Sequence, residues 1–207
     1  MIEFIKNIFN NQDVFIVGGG PSLIGFNFKR LDDKKVIAVN HSYEYIRNTS
    51  LLCYLDLNFL YSLRRKCHKI EHFPFPVLTG PQGSYHAENC YTVRHCKDPK
   101  ENNDNQLYGS ITSVAFSISA ALYGGAKKIY LLGIDLFFND MNNKHFYSKD
   151  FEKRKLWTNG KDPSQQDRLD RMKKSFEKFE PYKDKIINLS TNSKLEIFEK
   201  KKLVEAL

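Results

Sequence analysis

Short apolar runs recur along the chain, and each closes on glycine or a small polar residue. They lie at 14–17, 35–39, 51–55, 128–132 and 185–189. Runs of this length, rich in Val, Ile, Leu and aromatic residues, predict buried strands of a parallel sheet. Weaker runs at 74–81 and 91–93 predict two further short strands, the first bounded by prolines. Between the strands the pattern turns helical. Residues 58–66 predict one helix, and 113–123 predict another, almost all small or apolar, that packs on a sheet face. Ser110 or Thr112 supplies its cap and Gly124-Gly125 its end. A third helix opens at Asp162-Pro163, carries Leu169, Met172, Phe176 and Phe179 on one stripe and stops at Pro181. Residues 97–106 read as a surface loop, and 193–207 as a short helical or irregular finish.

Strands alternating with helices predict an α/β fold. The expectation is one Rossmann-like domain over 1–207, its mostly parallel sheet flanked by helices. A loop-rich, irregular insertion is expected at 60–105 and a lid-like loop at 137–162. Such sheets bind ligands beyond the carboxyl ends of their strands. The residues expected there are Gly18, Gly19, Gly20, Pro21 and Ser22 after the first strand, Asn40 after the second, Asp56 after the third, and Asp135. Glycines let the backbone turn sharply beside a ligand, and Pro21 suits a first helical position. The turn is expected to offer backbone N–H groups to a phosphate or carboxylate. Ser110 and Ser113, at a helix start, could touch a second anionic group.

Composition narrows the class. Of 207 residues, 41% are hydrophobic and 27% charged, as in an ordinary globular protein. No apolar run reaches the roughly 18 residues of a membrane-spanning helix, and the start lacks a signal-peptide pattern. A cytoplasmic protein is expected. The net charge of +8 is scattered rather than concentrated in long basic runs, which argues against nucleic-acid binding. The cysteines at 53, 67, 90 and 96 form no Cys-x-x-Cys pair and are expected to be reduced. Cys67, His68, His72, His86, Cys90, His95 and Cys96 cluster in sequence, but with spacings unlike a standard zinc module.

Several motif classes are excluded. The turn is no dinucleotide fingerprint, because Leu23 stands where the third glycine belongs and Asn40 where an acidic residue would hold a ribose. There is no phosphate-binding Gly-x-x-x-x-Gly-Lys-Ser/Thr loop and no Gly-x-Ser-x-Gly elbow. His145, in a polar loop past Asp135, is the candidate general base, since an imidazole titrates near ~6.5. Tyr147 and Trp157 are candidates for stacking on a ring.

Val17-Gly-Gly-Gly-Pro-Ser-Leu23, Ala38-Val-Asn40, the segment from Ser110 through Gly133-Ile-Asp135, and His145-Phe-Tyr147 follow one another in an order that resembles MptE-like proteins. That family is named for 6-hydroxymethylpterin diphosphokinase and includes phage and bacterial members. The end of the chain, from Asn188-Leu-Ser190 to Leu207, resembles its phage-type members. The same order is similar to the sialyltransferases of glycosyltransferase family 42, which carry an Asn between the turn glycines where this chain has Gly19. Both resemblances imply a transferase with a phosphate-containing donor held at Gly18–Ser22 and Asn40. A glycosyltransferase would take a nucleotide sugar and need no metal. A diphosphokinase would take ATP and Mg²⁺, the metal held or positioned by Asp56 and Asp135. A non-catalytic module that binds a nucleotide or a partner protein is the remaining alternative.

Overall fold

A computed structural model describes residues 2–109, 111–136, 146–147 and 165–206. Eight strands form one parallel sheet: β1 (Asp13–Val17), β2 (Lys35–Val39), β3 (Leu51–Tyr54), β4 (Val77–Thr79), β5 (Cys90–Thr92), β8 (Lys128–Leu132), β9 (Ile186–Asn188) and β10 (Glu199–Lys200). Their order is β10-β9-β8-β1-β2-β3-β4-β5. The chain builds outward from β1 to β5, then crosses back and builds outward from β8 on the other side. The order reverses between β1 and β8, where a doubly wound sheet opens its ligand crevice. β6 (Arg94–Cys96) and β7 (Gln106–Tyr108) form a separate parallel pair.

Side-chain alternation divides the core between the two faces. Ile16, Ile37, Leu51, Cys53 and Leu131 point to one face, under α2 (Ser113–Tyr123), Phe176 and Phe179. Phe15, Val17, Val36, Leu52 and Tyr54 point to the other, under α1 (Leu57–Arg65) and the turn carrying Leu23 and Leu31. Every residue of β3 is buried, as expected of a central strand covered on both faces. The fold class is thus the one expected from the sequence. The helix predicted at 58–66 starts one residue earlier, where Asp56 accepts the Asn58 N–H at 2.8 Å. α2 has the predicted bounds, with the Thr112 hydroxyl accepting the Ala115 N–H at 2.9 Å. α3 (Gln165–Glu177) falls inside the predicted third helix and buries Phe176.

Two expectations differ from the structure. Residues 60–105 are not uniformly irregular: β4 and β5 extend the sheet, and β6 belongs to the second pair. β4 and β5 fall on the short strands expected at 74–81 and 91–93, whereas β6 and β7, three residues each, show no period of their own. The tail contributes β10, which pairs with β9. Of the lid expected at 137–162, Phe146 and Tyr147 are described and the other residues lie outside the described ones. Among the described residues no helix is long and apolar enough to cross a membrane.

Candidate functional site at the strand-order reversal

The chain leaves β1 into Gly18-Gly-Gly20 and a single 3-10 turn, Pro21–Leu23, with Pro21 at its first position. It leaves β8 into Gly133-Ile-Asp135. Gly18 N–H donates to Leu132 O and Gly20 N–H to Gly133 O, both at 2.8 Å. Asp135 is buried, and both of its carboxylate oxygens meet Ser22: Oδ2 accepts the Ser22 N–H at 2.8 Å and Oδ1 the Ser22 hydroxyl at 2.7 Å. Ser22 Oγ also lies 3.1 Å from Ser190 Oγ, which accepts the Gly133 N–H at 3.2 Å. The ends of β1, β8 and β9 are therefore tied into one network. An atom added at Gly20 would fall 2.5 Å from Asp135 Oδ2, and one at Gly18 would collide with Ile134 and the Gly133 carbonyl. Close backbone approach explains these glycines, whereas Gly133 needs its left-handed backbone, with φ at 66°.

This geometry redistributes the expected roles. The amides of Gly18, Gly20 and Ser22 face other protein groups, so they do not form an open phosphate cradle. Gly19 N–H donates to no group among the described residues, while its carbonyl accepts the Phe146 N–H at 2.8 Å. Asp135 acts as an internal anion that fixes the turn. Asp56 serves as the α1 cap. Among the described residues, no group of three or more His, Cys, Asp or Glu could hold a metal ion.

Asn40 follows β2 in the left-handed region, φ 52°, a conformation that asparagine tolerates better than most residues. Its Oδ1 is buried without a hydrogen-bond partner. The adjoining backbone is held firmly: Ser42 Oγ accepts the Val39 N–H at 2.9 Å and donates to Val17 O at 2.7 Å. The N-terminus of α2 also lies at the carboxyl edge of the sheet. Its far end bonds near the start of β1, through Gly124 O and the Phe9 N–H. Thr112 and Ser113 therefore stand at the positive end of a helix dipole. Ser110, His145 and Trp157 lie outside the described residues.

His41 and Glu44 were missed by sequence reasoning, although a His-x-x-Glu step directly after a strand-end asparagine was the available signal. His41 is buried, with Nδ1 2.7 Å from Glu44 Oε1, and Lys66 Nζ is 2.5 Å from Glu44 Oε2. The His41 ring packs on Phe59 and, edge-on, on Tyr147 at centroid distances of 5.0 and 5.9 Å. Tyr147 is itself buried, which raises its phenol pKa. It belongs with Phe28, Tyr45 and Phe146 to an aromatic cluster beside the glycine turn. Burial pushes the Glu44 carboxyl up, but hydrogen bonds from His41 and Lys66 outweigh it and hold the group below its ordinary range.

A carboxylate with a depressed folded-state pKa stabilises the protein above its unfolded value of about 4.3, and that contribution fades as pH falls through the folded value. Glu44→Gln is expected to cost about 1–2 kcal/mol at pH 7. Urea unfolding of both proteins should show the gap narrowing steadily below pH 4.

Solved structures share the fold. The chain is similar to the sialyltransferase CstII from Campylobacter jejuni, solved with the substrate analogue cytidine-5'-monophosphate. The match has 22% identity over 92% of this chain and 85% of that one, with a TM-score of 0.51. A variant of CST-II in complex with CMP matches at 20% identity over 91% and 86%, with a TM-score of 0.50. At these identities the likeness is one of fold. No family model and no curated protein matches the chain, so the resemblance to MptE-like proteins has no support beyond the residues quoted for it.

Proposed function

We propose that the chain is a nucleotide-sugar glycosyltransferase whose donor, of the CMP type, lies in the crevice between the ends of β1, β8 and β2. The observation that carries this reading is Asn40 Oδ1: an acceptor buried without a partner, at a strand end beside the reversal of strand order. Buried polar atoms rarely remain unpaired, and a donor N–H or O–H would satisfy this one. The fold likeness to a sialyltransferase solved with CMP supports the same choice. The positive end of α2, at Thr112 and Ser113, would face the donor's anionic part.

In the proposed reaction an acceptor hydroxyl oxygen attacks the anomeric carbon. The bond to the donor phosphate breaks, and the nucleotide leaves with the electron pair. His145 is proposed to take the hydroxyl proton. The alternative diphosphokinase reading asks Asp56 and Asp135 to hold Mg²⁺, yet both Asp135 oxygens bond to Ser22. That engagement favours the reading without a metal.

Calorimetric titration with CMP tests the proposal. Saturable binding is expected, weakened about tenfold, or roughly 1.4 kcal/mol, in Asn40→Gly. Glycine keeps the left-handed backbone, so the melting temperature should hardly move. Absence of CMP binding at millimolar concentration, or equal binding by the variant, would overturn it.

A further inference from the structure

A cavity of about 450 Å³ opens at the amino edge of the sheet, where β2, β3 and β4 begin. β2 has five residues, so at ~3.3 Å per residue this edge lies roughly 16 Å from the Asn40 end. We propose that the cavity is a binding site for a phosphorylated sugar, separate from the candidate donor crevice.

Three kinds of wall meet there. Lys34, Lys35 and Arg47 supply positive charge. Lys34 lies 3.2 Å from Asp33, and Arg47 reaches only to 3.9 Å from Asp32, with its own side chain 81% exposed. Lys35 has no ion pair among the described residues. Three cations against two carboxylates leave a net positive cavity, in which an incoming anion would meet an Arg47 guanidinium only loosely held by Asp32. Phe75 and Pro74 form an apolar wall of the kind that packs on a sugar's C–H face. Thr49 completes the lining: its Oγ1 is buried without a partner, which an incoming hydroxyl or phosphate oxygen would satisfy. The backbone adds to it, because the N–H groups of Arg47, Asn48 and Thr49 donate to no acceptor among the described residues. Asp32 and Asp33 then serve as acceptors for sugar hydroxyls, a role that a site for bare phosphate would not need.

A free sugar phosphate and a phosphorylated sugar at the end of a glycan present the same chemistry. Calorimetry with glucose 6-phosphate and with a tetrasaccharide bearing one terminal 6-phosphate covers both, with glucose and inorganic phosphate as controls. At least one phosphorylated sugar is expected to bind saturably, and the tighter one identifies the source. Both controls should bind at least about tenfold more weakly. Lys35→Ala/Arg47→Ala should weaken the phosphorylated sugar about tenfold or more, and Thr49→Val about threefold. The variants' melting curves, and their CMP titrations where CMP binds the parent, verify that the fold and the crevice are intact. No saturable binding of either phosphorylated sugar would overturn the proposal. So would inorganic phosphate binding as tightly, or a folded double variant that binds as the parent does.

Discussion

Asp135→Ala is expected to lower unfolding stability by about 3 kcal/mol, because two charge-assisted hydrogen bonds disappear and Ser22 keeps a part-buried N–H without its acceptor. Against a typical stability of about 5–15 kcal/mol, this is a large loss. Urea denaturation read by circular dichroism would measure it as a lower midpoint at unchanged slope. The loss should reach function as well, since Ser22 follows directly on the turn beside the proposed donor crevice. Asp135→Asn fills the same space and keeps one acceptor, while its amide nitrogen faces a donor. It should recover about half of the stability. An Asp135→Ala protein as stable as the parent would remove Asp135 from the role of internal anion assigned to it.

Gly20→Ala is expected to cost about 2–3 kcal/mol by overpacking alone. Gly20 sits at φ −63° and ψ 150°, which alanine adopts without strain. The penalty comes from the added carbon, which would fall 2.5 Å from Asp135 Oδ2 and 2.6 Å from Gly133 O. Since the two substitutions share a partner, they should not add. Asp135→Ala removes one of the colliding groups, so the double variant should lose about 1 kcal/mol less than the sum of the single losses. Strict additivity would show that Gly20 is constrained by the Gly133 carbonyl and not by the carboxylate.

The longer elements could be read directly from the chain, for identifiable reasons. β1, β2 and β8 are uniform apolar runs that close on turn residues, and α2 carries both its own cap and its own stop. β4 and β5 could still be read from weaker runs at 74–81 and 91–93, but β6 and β7 could not, because three residues acquire strand identity from the neighbours they pair with. The site was legible in its location and less so in its chemistry. Gly18–Ser22, Asn40 and Asp135 do gather at one edge. That Asp135 would turn inward to Ser22, 113 positions away, is a tertiary fact with no local signature. The same holds for His41, whose pairing with Glu44 draws on Lys66 of a different element.

The tie between Ser22 and Asp135 also sets a timetable. During synthesis Ser22 leaves the ribosome long before its carboxylate partner, which follows 113 residues later. At about 5–20 residues per second, the glycine turn waits roughly 6–23 s. β1 can pair with β2 in that interval, but its other edge stays bare until β8 arrives. That edge, a row of unpaired backbone groups beside Phe15 and Val17, is what a nascent chain would have to shield from pairing with its neighbours.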